Sequence, residues 1–227
     1  MKIPTILVTA LAAGSLCAQA PDKELDKRIQ VFGEMIRPAA FTIFPGVQDQ
    51  AQRSWGVGVR FMGEIASSRN WYYEIGGKLD SSSNLTFDGP TSALPGAPVA
   101  DLTDVKITSS YWSVGAGYLI PVGNAVALGL HLEGRGEALT AQGAVFQAGA
   151  MLGNVDASTT YLRPWARVSL DASFHLGSTR PFIGVDVAAT PLKTSQQVLV
   201  SPVNMDNRTL RSLAPTASAA FYAGLHF

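Results

Sequence analysis

The sequence predicts an all-β fold, an eight-stranded antiparallel up-and-down transmembrane β-barrel preceded by a cleaved signal peptide. Three observations lead to this prediction. Apolar and polar residues alternate with a period of two over long stretches, short and long connections alternate between those stretches, and the sequence ends on the strand-like segment "AAFYAGLHF". A two-residue period is typical of strands, because successive side chains of a strand point to opposite faces.

The N-terminal residues predict export. Lys2 is followed by an apolar run to Leu16 and then by small residues and a polar stretch, the order found in signal peptides. The run is too short for a membrane-spanning helix. We expect cleavage after Ala18, so that 1–18 is the signal peptide, 19–27 a short periplasmic segment and 28–227 the barrel. A lipoprotein would need a small residue directly before Cys17. Leu16 occupies that position, so a lipoprotein is disfavoured.

Eight strands follow from the alternation. In "SWGVGVRFMGEI", residues 54–65, Val57 and Val59 share one face and Arg60 lies on the other. "NWYYEIGGKLD", residues 70–80, repeats the scheme. The predicted strands lie near 28–42, 54–66, 70–82, 104–120, 124–140, 159–176, 180–191 and 215–227. The first is the least regular, and Arg37 with Pro38 indicates a bulge or a strand end there.

The predicted connections sort into two kinds. Tight turns are expected at 67–70, 121–124 and 177–180, and longer loops at 44–53, 82–103, 141–159 and 192–214. Because the two kinds alternate along an up-and-down meander, all tight turns fall at one end of the barrel, together with both chain ends. Outer-membrane barrels have this asymmetry, with short periplasmic turns, long external loops and an even number of strands.

The mature chain resembles the small outer-membrane β-barrel proteins of the OmpA-barrel, OmpX and OmpW kind. Its ending "YAGLHF" is similar to their C-terminal assembly signal, in which a terminal aromatic residue follows apolar residues at every second position. The resemblance implies a location in the outer membrane, with outer-membrane lipid, periplasmic chaperones and the barrel-assembly machinery as partners. It also implies that the signal comprises Phe221, Gly224, Leu225 and Phe227.

A soluble barrel with its apolar face turned inward, as in lipocalins, has the same alternation. The composition of the two faces favours the membrane. The polar face combines many glycines with charges of both signs, which suits a narrow interior. The apolar face carries aromatic residues near strand ends, including Trp55, Trp71 and Trp112, where membrane barrels have aromatic girdles.

With the apolar face outward, a polar network is predicted in the barrel interior. The same period places Asp80 and His175 on this face. We expect an internal salt-bridge network that fills the barrel, since eight strands enclose little more than side chains. The alternative is an ion or proton path through the same residues. The predicted network comprises Arg60, Glu64, Glu74, Lys78, His131, Glu133, Arg135, Glu137, Arg163, Arg167, Asp171 and Asp186.

No enzyme, metal site or cofactor is predicted. His131 with Glu133 has the composition of a general base and its orienting partner, but neither His131 nor His175 belongs to a serine hydrolase pattern. The three histidines lie far apart, and the processed chain lacks cysteine and a glycine-rich phosphate loop. Lysine plus arginine equals aspartate plus glutamate at 17 each, so nucleic acid is not an expected partner.

Two functions follow as expectations. The first is a non-enzymatic structural or surface-interaction element with a side-chain-filled interior. The second, similar to the OmpW type, is a narrow conduit or a transport barrel for small apolar ligands. The second and fourth predicted external loops, 82–103 and 192–214, are rich in serine, threonine, proline, glycine and asparagine. Loops on rigid scaffolds commonly bind partners, but no motif in these loops specifies an extracellular ligand.

Overall fold

A computed structural model describes residues 27–36, 48–51, 54–65, 70–88, 100–147, 150–176, 178–192, 210–211 and 214–227. In this part of the chain no helix is long and apolar enough to cross a membrane. The predicted signal peptide lies outside the described residues. The strands are β1 (Lys27–Ile36), β2 (Gln48–Ala51), β3 (Ser54–Glu64), β4 (Trp71–Asp88), β5 (Ala100–Pro121), β6 (Val126–Gln147), β7 (Ala150–Ser173), β8 (Arg180–Ala189) and β9 (Ala217–His226).

The strands form one closed antiparallel sheet. The order is β2-β4-β3-β1-β9-β8-β7-β6-β5, and pairing of β5 with β4 closes the barrel. Both β2 and β3 pair with β4, with Gln48 opposite Asp88 and Gly58 opposite Lys78, so they are two pieces of one barrel strand. The predicted eight-stranded antiparallel barrel is therefore confirmed. Closure matters physically because unpaired backbone groups are costly in lipid.

The chain end is tied into the sheet. β9 pairs with β1, with Val31 opposite Ala223. The backbone N–H of Phe227 donates to the carbonyl of Lys27 at 2.9 Å, and the N–H of Lys27 donates back at 3.0 Å. The apolar alternation that ends at Phe227 is thus the alternation of the strand that closes the barrel.

Two of the three predicted tight turns lie where the sequence predicts them, and most of the third, at 67–70, lies outside the described residues. Val122 N–H donates to the carbonyl of Val126 across the turn between β5 and β6, and Gly123 in that turn has a φ of 94°. Glycine suits this position because a side chain is strained at positive φ. Leu176 and Thr179 pair across the turn between β7 and β8. Both turns lie at the barrel end that also holds Lys27 and Phe227.

Three of the predicted loops are partly wrong, because they contain paired strand. The expected loop at 141–159 is mostly paired strand, since Ala141 lies opposite Ala157 and Gln147 opposite Ala150. Most of its residues are small, so its alternation is too weak to recognise in the sequence. β4 and β5 likewise extend to Asp88 and from Ala100, into the expected loop at 82–103. β2, at Gln48–Ala51, lies in the expected loop at 44–53. The predicted end of the first strand, at 37–42, lies outside the described residues.

A β-bulge changes the phase of β4. Lys78 pairs with Tyr111 and Ser81 with Ser109, so Leu79 and Asp80 together oppose one residue of β5. The extra residue turns Ser81 into the interior, where it is buried, and leaves Asp80 exposed. The predicted inward position of Asp80 is therefore wrong, because a bulge shifts every later side chain to the other face.

Candidate functional site: the barrel interior

The described part of the interior contains equal numbers of buried cations and anions, none more than 7% exposed. They can be matched into six separate ion pairs within 4 Å. An unpaired charge at this depth would cost several kcal/mol, so the pairing is what permits a charged interior. The pairs are Arg28–Asp171, Arg60–Asp186, Lys78–Glu34, Arg135–Glu133, Arg163–Glu137 and Arg167–Glu74.

The ion pair nearest the tight turns is Arg28–Asp171. The Arg28 guanidinium donates to Asp171 Oδ2 at 2.8 Å and lies 4.1 Å from the centre of the Phe182 ring. A guanidinium over an aromatic face gains a cation–π attraction in addition to its ion pair. Strands β1, β7 and β8 are thus held together by side chains as well as by their backbone ladders.

A central cluster joins β3, β4, β6, β7 and β8. Arg167 donates to Glu74, and Arg167 and Arg60 each lie 3.4 Å from Asp186 Oδ2. Glu74 also contacts His131 Nδ1. Small residues make room for this cluster, since a Cβ at Gly117 would collide with Glu74 and the His131 ring. The glycines of the polar face therefore admit large side chains into a narrow barrel.

His131 lies between a serine and a carboxylate. Its Nε2 is 2.8 Å from Ser169 Oγ, and its Nδ1 faces Glu74. Serine, histidine and carboxylate follow one another as in a hydrolase triad. All three are at most 4% exposed, so solute does not reach the serine in this structure. The carboxylate beside His131 is Glu74 rather than Glu133, which accepts two hydrogen bonds from Arg135.

A third cluster lies around Glu34, further from the tight turns. Arg135 Nη1 and the Tyr111 hydroxyl each donate to Glu34 Oε1 at 3.3 Å, and Lys78 Nζ lies 3.8 Å from Glu34 Oε2. Lys78 also donates to the hydroxyls of Ser81 at 2.9 Å and Ser109 at 3.1 Å. Ser81 points inward because of the β-bulge, so the bulge provides one of the hydrogen-bond acceptors of Lys78.

Among the described residues, Glu137 is the interior acid that accepts the most hydrogen bonds. Arg163 donates to its two carboxylate oxygens at 3.1 and 2.6 Å, Trp165 Nε1 donates at 2.6 Å, and the Tyr161 hydroxyl donates at 3.0 Å. Arg163 Nη2 also donates to the carbonyl of Pro215 at 2.6 Å. This cluster therefore connects β6 and β7 to the chain segment that leads into β9.

Apolar side chains lie at both ends of this charged interior. Met62, Tyr72 and Leu119 form a buried cluster near the tight turns. Leu139 and Leu210 are at most 2% exposed toward the other end. A void of about 20 Å³ lies beside Glu34, Arg135 and Glu137, which is room for about one water molecule. The interior is filled by side chains over the described residues.

The outer surface of the barrel is apolar. Exposed apolar side chains alternate along the strands with the inward positions, where the buried charges lie. Leu132 and Leu162 are each 71% exposed. Trp71 and Tyr118 stand side by side at the tight-turn end, with ring centres 5.0 Å apart. The exposed apolar side chains include Ile29, Val31, Trp55, Val57, Val59, Ile75, Trp112, Val114, Leu130, Leu132, Leu162, Val168, Ile183, Val187 and Phe221.

This arrangement is the reverse of a soluble barrel, which buries its apolar face and exposes its charges. The apolar belt needs lipid around it, and closed barrels with such belts occur in outer membranes. The chain is an outer-membrane β-barrel protein. The soluble barrel considered from the sequence is therefore wrong.

Three solved structures are similar to this barrel, each with 10% identity over 88% of the chain. Ail, the attachment invasion locus protein of Yersinia pestis, crystallised with a heparin analogue, has a TM-score of 0.43 and 97% of its chain covered. Neisserial surface protein A has a TM-score of 0.45, and 94% of its chain is covered. The outer membrane protein OprG from Pseudomonas aeruginosa has a TM-score of 0.48, and 91% of its chain is covered. No family model and no curated protein sequence matches the chain.

The structure places the predicted site residues as follows. Of the twelve predicted interior residues, all are buried except Glu64, which is partly exposed. In the predicted assembly signal, Phe221, Leu225 and Phe227 face outward at 65%, 45% and 45% exposure. Gly224 lies on the interior side, where a Cβ would collide with the backbone of Ile29. His175, also expected inside, is partly exposed and contacts Arg180 at 2.6 Å.

Sequence reasoning missed two members of the network, Arg28 and Glu34. Both lie on β1, where Phe32 and Ile36 share the buried face with them and obscure the alternation. The spacing of Arg28, Gln30 and Glu34 was the available signal. No group of three or more histidine, cysteine, aspartate or glutamate residues suited to a metal ion occurs among the described residues.

Proposed function

We propose that this protein is a non-enzymatic outer-membrane barrel, closed to bulk solute, that acts as a structural or surface-interaction element. One observation carries the proposal: six ion pairs fill the interior between two apolar layers. An open path would require several of these pairs to separate, and an unpaired buried charge costs several kcal/mol. The burial of Ser169, His131 and Glu74 supports the non-enzymatic part.

The length of the strands supports a role at the cell surface. β5, β6 and β7 contain 22, 22 and 24 residues, whereas about 9 to 11 residues of a tilted strand cross a bilayer. The excess lies at the end opposite the tight turns, which is the external end of such barrels. Paired strands that continue beyond the membrane give the external surface a rigid base, and rigid bases are typical of binding surfaces.

The closed interior predicts electrical silence. The mature chain, refolded and inserted in a planar bilayer, should show no reproducible single-channel steps, because the charged side chains occupy the lumen and neutralise one another. A general porin inserted in the same bilayer provides the positive control. Heat-modifiable gel migration establishes beforehand that the protein is folded. Reproducible steps from the folded protein would contradict the closed barrel and favour the narrow conduit.

We further propose that the ending of β9 is read by the barrel-assembly machinery, with periplasmic chaperones as earlier partners. Deleting Phe227 should reduce the amount of assembled barrel in cells severalfold, while the free energy of unfolding of the refolded protein changes little. The structural reason is that Phe227 adds only one pair of backbone hydrogen bonds, to Lys27, and a half-exposed ring.

A matched control is Leu176→Ala, which removes a 68% exposed apolar side chain at the same end of the barrel. Assembly is measured by heat-modifiable protein in isolated membranes, and stability by urea unfolding in vesicles. Equal assembly of the deletion variant and the Leu176→Ala variant would refute a recognition role for Phe227.

A further inference from the structure

A groove of about 1130 Å³ crosses the outer wall of the barrel over the adjacent strands β4, β5, β6 and β7. Leu79, Trp112 and Leu162 line it and are 73%, 57% and 71% exposed. Gly136 and Ala138 lie between them on β6. Trp112 and Leu162 both pair with Gly136, so two large side chains flank a position that has none.

Two local features make this wall concave. A Cβ at Gly136 would collide with the Trp112 ring, so the indole lies over the glycine. On β4, the bulge at Leu79 and Asp80 breaks the regular pleat at the edge of the groove. Small residues on the lipid-facing side of β6 and a bulge on β4 thus produce a depression, which a wall of uniformly large side chains would lack.

The groove lies at the boundary between the apolar and polar parts of the outer surface. On its tight-turn side the outward residues are apolar, as with Val114 and Leu132. On its external side they are polar, with Asp80, Ser110 and Thr160 on the lining itself. A ligand that matches both parts must be apolar along most of its length and polar at one end.

We propose that this groove holds an acyl chain of a lipid from the surrounding bilayer, with the lipid's polar end at Asp80, Ser110 and Thr160. The groove is continuous with the lipid-facing belt, so lipid is the molecule that meets it in the membrane. A polar solute would leave Leu79, Trp112 and Leu162 against polar surface. The exposed side chains of the groove lie on the outer wall. Lipid binding there therefore does not depend on whether the lumen conducts.

The test counts lipids that stay bound. The mature protein is refolded in dimyristoylphosphatidylcholine vesicles and extracted in mild detergent, and its retained lipids are counted by native mass spectrometry. Ala138→Phe should fill the groove and remove one retained lipid. Ala223→Phe is the control, because Ala223 faces outward on β9, away from the groove, and the substitution adds the same ring. This control variant should retain as many lipids as the wild type.

A second variant removes part of the groove instead of filling it. Leu162→Ser removes an apolar side chain from one side of the groove and should also lower the retained lipid count by one. This variant keeps the test decisive if Ala138→Phe does not fold. Heat-modifiable migration verifies folding of each variant. Wild-type retention in the folded Ala138→Phe or Leu162→Ser variant would overturn the proposal. The conductance result would stand in either case, because it reports on the lumen.

Discussion

Glu137→Ala is expected to lower the free energy of unfolding by about 3 to 5 kcal/mol, the range for removing one partner of a buried ion pair. Glu137 accepts hydrogen bonds from Arg163, Trp165 and Tyr161. Without its carboxylate, Arg163 keeps only the carbonyl of Pro215 among these described partners and remains charged inside the barrel. The loss therefore exceeds that of an ordinary hydrogen bond.

Urea unfolding of the refolded protein in lipid vesicles, followed by tryptophan fluorescence, measures this effect. Asp156→Ala is the matched control, because Asp156 is an exposed acid whose side chain accepts one hydrogen bond, at 3.4 Å from Gln142. Its free energy of unfolding should change by no more than about 0.5 kcal/mol. If both variants changed stability to the same extent, the Glu137 cluster would not stabilise the barrel in the way its contacts indicate.

Leu130→Arg and Val57→Arg are expected to prevent most of the protein from inserting into membranes. Both side chains face outward, at 47% and 55% exposure. Arginine on the lipid face near the bilayer midplane costs about 2 to 4 kcal/mol, falling to about 0 to 1 kcal/mol near the interfaces. The same charge above the membrane should therefore be tolerated, and Ser158→Arg, at an exposed position on the upper part of β7, provides that comparison.

The folded fraction after refolding into vesicles, read from heat-modifiable migration, distinguishes these variants. Ala127→Ser, which adds a small polar group on the interior side of β6, should fold like the wild type. Equal folding of Leu130→Arg, Val57→Arg and Ser158→Arg would show that the apolar belt is not the membrane-facing surface.

The closed interior and the apolar exterior have one physical origin. In a membrane barrel the outer positions must be apolar to match lipid, so polar groups can be accommodated only inside or beyond the membrane. Arg60 and Arg167 share Asp186, and Arg135 bridges Glu34 and Glu133. Such networks fill a narrow barrel while satisfying most of the charges that the alternation places there.

The alternation of the sequence determined the fold class and the side on which most residues lie. The two-residue period assigns each residue to one face of its strand. The cost of placing charge in lipid then determines which of the two faces is inside. Arg60, Glu74, Glu133, Arg135 and Arg167 were placed on the interior side by this argument alone. The same argument identified the last residues as a strand, which β1 then pairs.

Only the tertiary structure decided which interior residues meet. Glu74 contacts His131 and Arg167, which are 57 and 93 residues away in sequence, and periodicity carries no information about contacts across a barrel. The bulge at Leu79 and Asp80 and the paired hairpin beyond residue 141 were also invisible, since small residues and a single inserted residue leave the pattern almost unchanged. The groove beside Trp112 depends on both barrel curvature and that bulge, so it appears only when the strands are assembled.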